Sequence, residues 1–90
     1  MATVQASQRS QIISVSDIEW EQRQPGVRQK NLWAHPETQR RAVMTRIEPG
    51  ARLPCHRHVR DGLLFVIEGA LSDDFGTVTS GNMDYRPPAT

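Results

Sequence analysis

The sequence predicts an all-β fold, a small sandwich or jelly-roll barrel of about six to eight short strands. Apolar and β-branched residues alternate over short stretches, which is the period of a strand and not of a helix. Glycine, proline and aspartate turns separate these stretches roughly every eight to ten residues. The chain has 90 residues, which is enough for one small domain whose stability is marginal without further help.

The first ten residues are polar apart from short aliphatic side chains, and we expect them to form a flexible N-terminal arm. Residues 11–90 are then predicted to form a single domain. Its first segment, residues 11–15, is rich in β-branched side chains and is a candidate edge strand. Ser16 and Glu19 have the spacing of a capping box, which predicts one turn of helix or 3₁₀-helix before Pro25 and Gly26 end the segment.

Two strands are predicted in the middle of the chain, at residues 27–33 and 41–47. The first would place Val27 and Trp33 on one face. In the second, the β-branched face is the better candidate for the core, and its members are Val43, Thr45 and Ile47. Residues 34–38 between the two strands form a turn, because Pro36 disfavours helix at the residue before it.

The second half of the chain is predicted to contain a short strand at residues 53–58 and a clearer one at residues 63–68. The unbroken apolar run of the latter is typical of a strand that is covered on both faces. This strand is expected to continue across Gly69 into residues 70–72, and two further short strands are predicted at residues 77–79 and 82–85. Pro87 and Pro88 then end the ladder, because proline has no N–H to donate.

Composition excludes several classes of protein. The net charge is +1, from eleven basic and ten acidic residues, which argues against a nucleic-acid-binding protein. The longest apolar run, residues 63–67, is far too short to span a membrane. Cys55 is the only cysteine, so no internal disulfide can form, and no N-terminal segment has the pattern of a signal peptide. We therefore expect a cytoplasmic protein.

His56 and His58 form the most informative pair in the sequence. On an extended segment their side chains point the same way, with Cβ atoms roughly 6–7 Å apart. Two imidazoles at that separation can share one metal ion at bond lengths of about 2.0–2.1 Å. The alternative is that both are solvated or bonded to backbone near a turn. Cys55 faces the opposite way, and the third histidine, His35, is expected to be an exposed turn residue.

The residues around this pair resemble the first motif of the cupin family. Four positions have the motif's spacing, and they are Gly50, His56, His58 and Gly69. The motif's glutamate is missing, because position 62 is Gly62 and the next residue is Leu63.

Within the cupins, the chain is most similar to the ChrR-type subfamily, named for the C-terminal domain of an anti-sigma factor. The similarity extends over about residues 16 to 88 and rests on several further segments, which are residues 25–30, 32–33, 36–38, 40–41, 71–76 and 86–88. It implies a cupin-like jelly-roll, or double-stranded β-helix, barrel. In the subfamily a third histidine follows the Pro-Pro pair shortly afterwards, so we expect a barrel that is incomplete at its C-terminus, since the sequence ends at Thr90.

The resemblance also implies a metal site. Cupins typically hold one divalent ion, such as zinc or iron, with three histidines and a glutamate. His56 and His58 match two of these ligands, and Asp61 is a candidate for the missing carboxylate. Alternatively, Asp61 and Gly62 form a solvent-facing hairpin turn. Arg60 beside them would oppose a cation by Coulomb repulsion, or would help to hold an anionic ligand.

Three functional hypotheses remain open, and the sequence does not decide whether the protein is an enzyme. The first is a cupin with a weakened metal site, related to dioxygenases that cleave small diketones and hydroxyacetophenones. The second is a non-catalytic cupin module for sensing, for binding a small-molecule ligand or for binding a partner. The third is a degenerate barrel stabilised only by assembly. In each case we expect a homodimer, with residues 11–15 crossing to the second copy to cover an open edge.

Overall fold

A computed structural model describes residue 3 and residues 10–53 and 61–88 of the chain. These residues form one 3₁₀ turn, Val15–Asp17, and seven strands: β1 (Glu21–Gln24), β2 (Val27–Ala34), β3 (Arg41–Ile47), β4 (Gly62–Phe65), β5 (Ala70–Asp73), β6 (Gly76–Thr79) and β7 (Met83–Arg86). The all-β prediction is confirmed. No helix within the described part of the chain is long and apolar enough to cross a membrane.

The chain divides into two compact units, Met1–Arg52 and Leu53–Thr90. The division of the sequence into an arm and a single domain over residues 11–90 stays a prediction. The strand predicted at residues 53–58 lies outside the described residues, except for Leu53, which is not in a strand.

The first unit contains a three-stranded antiparallel sheet in the order β1-β2-β3. Pro25 and Gly26 turn the chain between β1 and β2, and Gly26 has a φ of 78°, which favours glycine. The backbone N–H of Glu48 donates to the Gly26 carbonyl oxygen over 2.8 Å. Strand β1 was not predicted, because all four of its residues are polar and it shows no apolar alternation.

Strand β3 has the predicted bounds, and β2 is one residue longer than predicted. Their ladder runs in regular register from Val27 opposite Ile47 to Asn31 opposite Val43. A bulge then shifts the register between Asn31 and Trp33. The prediction that Val27 and Trp33 share a face assumed an unbroken two-residue alternation between them. The bulge interrupts that alternation.

Burial in this sheet differs from the predicted core face. Val27 is fully buried, but Thr45 on the expected core face is exposed and accepts a hydrogen bond from the Gln29 side chain over 3.2 Å. The buried charged residue is Lys30, which lies on the opposite face of β2. Each face of this sheet is therefore covered at some positions and open at others.

Lys30 is held by the segment before β1. Its ammonium nitrogen donates to the Val15 carbonyl oxygen over 3.0 Å and lies 5.0 Å from the centre of the Trp20 ring. The 3₁₀ turn confirms the prediction of one short helical turn, but Ser14 is its N-cap instead of Ser16, and Ser14 makes no side-chain capping bond. The residues before the turn, 11–14, form no strand within the described chain. Their crossing to a second copy stays a prediction.

The second unit contains two antiparallel strand pairs, β4 with β7 and β5 with β6. The two short strands predicted at residues 77–79 and 82–85 are confirmed to within one residue at each end, as β6 and β7. The predicted continuation of the preceding strand across Gly69 is wrong, because residues 70–73 form a separate strand, β5, which pairs with β6. Strand β4 ends at Phe65, so it is shorter than predicted. Val66 leaves the ladder, but its backbone N–H still donates a hydrogen bond to the Asn82 carbonyl oxygen. Its carbonyl oxygen accepts a hydrogen bond from the Gly81 N–H.

The prediction that both faces of this strand are covered is wrong. Gly62, Leu64 and Val66 are half-buried or buried, while Leu63 and Phe65 between them are exposed. Burial thus alternates with the two-residue period of a strand, although the sequence at these positions is apolar throughout.

Candidate metal site

The predicted ligands His56 and His58 belong to residues 54–60, which lie outside the described part of the chain, as do Cys55 and Arg60. Asp61, the third predicted ligand, is described. It immediately precedes β4, whose first residue, Gly62, is paired with Arg86 of β7. Of the three predicted ligands, the structure therefore describes Asp61 alone.

The Asp61 carboxylate is engaged by the only tyrosine of the chain. The Tyr85 hydroxyl donates to Asp61 Oδ2 over 3.3 Å, and Tyr85 is itself paired with Leu63 across the ladder. Some loss of hydration raises the pKa of the Tyr85 phenol, and the Asp61 charge and the hydrogen bond raise it further. The phenol contacts one carboxylate oxygen of Asp61. The second carboxylate oxygen can therefore bind another partner.

Position 62, where the family motif has its glutamate, lies on the other face of the strand. Gly62 is half-buried and begins the face that continues with Leu64 and Val66, whereas Asp61 contacts a residue of the exposed face. A Cβ atom built on Gly62 would have no neighbour within 4 Å. A Cβ atom therefore fits at position 62 without displacing the backbone.

Arg86, opposite Gly62, is neutralised by two aspartates. Its guanidinium donates to both carboxylate oxygens of Asp84, over 3.2 Å and 3.1 Å, and forms an ion pair of 3.5 Å with Asp73. Arg86 and Asp84 are both partly buried, which makes this bidentate pair stronger than an exposed one. The positive charge facing position 62 is therefore compensated. Asp84 and Arg86 are two residues apart and so lie on one face of the strand. This spacing in the sequence predicts the pair.

His35, the third histidine, is part of the confirmed turn between β2 and β3. Its Nδ1 accepts a hydrogen bond from the Thr38 backbone N–H over 3.3 Å, and the His35 backbone N–H donates to the Arg40 carbonyl oxygen over 2.7 Å. Its ring centre lies 6.0 Å from that of Trp33. These contacts give His35 a role in shaping the turn.

Within residues 10–53 and 61–88, no three side chains of histidine, cysteine, aspartate or glutamate lie close enough together to hold a metal ion. A three-ligand site that uses Asp61 would therefore need at least one ligand from outside these residues. Imidazole nitrogens with one carboxylate are a donor set that suits zinc or iron(II).

Comparison with known families gives one result that extends over nearly the whole sequence. The family model described as "ChrR Cupin-like domain" matches residues 8–90. No curated protein and no solved structure matches the chain.

Proposed function

Since the chain belongs to the ChrR cupin-like domain family, we propose that it is a small cupin module with a weakened divalent-cation site at His56 and His58. The family match over residues 8–90 is the observation that carries the proposal. It is supported by the spacing of the two histidines between Gly50 and Gly69, which follows the family's first motif. The proposal includes a cytoplasmic location and an ancestry shared with the dioxygenases of the family.

The site is weakened because the motif's glutamate is replaced by Gly62. Two neutral imidazoles supply only two ligands to a metal ion, whereas most zinc and iron sites have three or four protein ligands. Asp61 is proposed as the carboxylate that partly compensates, through the oxygen that does not contact Tyr85. A zinc or iron(II) ion bound there would supply a positive centre for a carboxylate or keto oxygen of a small molecule.

Calorimetric titration with zinc at pH 7 tests the histidine pair. The wild type and a His35→Ala control are expected to bind zinc with the same affinity, because His35 Nδ1 already accepts a hydrogen bond from the Thr38 backbone N–H. A His56→Ala, His58→Ala double variant should lose at least about tenfold in affinity, since it lacks both imidazoles. Equal affinity in the double variant would remove the site from the proposal.

The contribution of Asp61 is tested separately. Asp61→Asn keeps the size of the side chain and removes its charge, and Asp74→Asn is the matched control in the exposed turn between β5 and β6. We expect zinc affinity to fall about tenfold in the first variant and to stay unchanged in the second. If both variants bind zinc as the wild type does, Asp61 is not a ligand and the pair of histidines acts without it.

The second candidate function is a non-catalytic module that senses or binds a small molecule or a partner. The replacement of the motif's glutamate by Gly62 favours it, because non-haem iron oxygenases ordinarily use three protein ligands. An oxygen electrode separates the two candidates. Protein loaded with iron(II) and given a small β-diketone should consume dioxygen faster than the His56→Ala variant if it is an enzyme. Equal rates would leave the non-catalytic module.

A further inference from the structure

Four side chains share one exposed face of the β4–β7 ladder, because Leu63 is paired with Tyr85 and Phe65 with Met83. Ile67 is also exposed and lies in the bend that follows β4. We call these residues the ladder face. Their exposed fractions are 71% for Leu63, 60% for Phe65, 69% for Ile67, 53% for Met83 and 58% for Tyr85.

The opposite side of the same ladder is already covered. Leu64, Asp84 and Arg86 are half-buried there, and Val66 is buried. A strand that is apolar at every position from Leu63 to Ile67 has the composition of one buried on both sides. In the described structure it is buried on one side only, so the ladder face is the part of this strand that still lacks a cover.

The area of the ladder face is large for a protein of this size. The five exposed fractions correspond to about 600 Å² of mostly apolar surface, which is at the upper end for the largest patch of a monomer. Two copies placed face to face would bury about 1,200 Å² in total. That exceeds the roughly 1,000 Å² expected of a specific interface.

Two copies of the ladder face are chemically compatible with each other. None of its five side chains is charged, so two copies meet without like-charge repulsion, and no partner of opposite charge is required. Its one polar group, the Tyr85 hydroxyl, already donates to Asp61 at the rim. The described chain has a small core, because its buried hydrophobic residues are Val27 and Val66. Association of two copies would bury further apolar surface.

We propose that the ladder face is the contact between two copies of this chain, related by a twofold axis. Each copy presents the same patch, as a closed dimer requires. Phe65, which is paired with Met83 and lies two residues from Leu63 on β4, is the anchor. This inference does not depend on the metal site, so the two can fail independently.

Sedimentation velocity over a range of concentrations tests it on the full chain. The wild type should be a dimer. Phe65→Lys should weaken self-association by at least about a hundredfold, because it places an unpaired charge in the contact. Phe75→Lys is the matched control, since Phe75 is almost fully exposed at the turn between β5 and β6, and it should dimerise as the wild type does. A monomeric wild type, or a Phe65→Lys variant that dimerises normally, overturns the proposal.

A measurement on the wild type covers the case in which Phe65→Lys fails to fold. Labelled and unlabelled protein are mixed, and isotope-filtered NMR then detects only contacts between copies. The proposal expects contacts from the Phe65 ring to Leu63 or Ile67 of the second copy. A dimer whose intermolecular contacts avoid the ladder face would show that another surface, or exchanged residues 11–15, holds the copies together.

Discussion

Restoring the carboxylate at position 62 is the most informative single change to the proposed site, because position 62 and Asp61 lie on opposite faces of the strand and the change tests which face the histidines share. Gly62 is in a strand, has no left-handed φ, and leaves open space within 4 Å of where a Cβ would lie. Gly62→Glu is therefore expected to fold, and replacing a strand glycine adds about 0.5–1 kcal/mol to the free energy of unfolding. The new side chain lies opposite Arg86, whose charge is already compensated by Asp84 and Asp73, so we expect no added stability from a pair across the ladder.

The gain in metal affinity follows from the added charge. A carboxylate and a divalent ion about 2.1 Å apart attract each other by about 4 kcal/mol, even with the dielectric constant of water. Ordering the glutamate side chain costs about 2 kcal/mol. About 2 kcal/mol remains, which corresponds to roughly a thirtyfold lower Kd for zinc.

Calorimetric titration with zinc measures the change, and Gly62→Gln is the matched control because it has the same shape without the charge. We expect Gly62→Glu to bind zinc about thirtyfold more tightly than Gly62→Gln, and we expect that gain to disappear when His56→Ala is added. If both variants are folded by circular dichroism and bind zinc equally, then position 62 does not face the site and the reasoning is refuted.

Three smaller changes test the described contacts. The Tyr85 phenol should ionise above its ordinary pKa of 10.0, and Asp61→Asn should lower this pKa; ultraviolet absorbance reads the single tyrosine directly, and no change in the variant would mean that the contact is absent in solution. Because the folded-state pKa is raised, any stability that it confers is present at neutral pH and declines as the pH rises above 10.0. Lys30→Ala should lower the free energy of unfolding in urea by about 1–2 kcal/mol through the lost bond and ring contact, and an unchanged midpoint would contradict this. Gly26→Ala should cost more than Gly50→Ala by about 1 kcal/mol, because both glycines have positive φ but only at Gly26 would a Cβ approach another atom, at 3.0 Å; equal urea midpoints would contradict it.

The strands that the sequence predicts well are those whose own residues carry the signal. Strand β3 alternates clearly and was predicted with its true bounds. Strand β1 has four polar residues and exists because the turn at Gly26 folds it back on β2, which supplies its partners. Strand β4 was predicted too long because an apolar run does not reveal that Val66 leaves the ladder to bond with Asn82.

The candidate site was predictable only in part, for a similar reason. The histidine pair and the empty glutamate position are local patterns that can be read directly from the sequence. The contact between Asp61 and Tyr85 joins residues 24 positions apart and depends on the pairing of β4 with β7. The exposure of the ladder face likewise depends on what covers each side of that ladder, which apolar composition alone does not specify.

X-ray absorption at the zinc edge tests the central claim, a surviving cupin metal site, most directly. Zinc-loaded wild-type protein should show imidazole scattering with Zn–N distances of about 2.0–2.1 Å, and this scattering should vanish in the His56→Ala, His58→Ala double variant. Zinc that is surrounded only by oxygen, or a spectrum that is identical in the two proteins, would contradict the account and show that the histidines do not hold a metal.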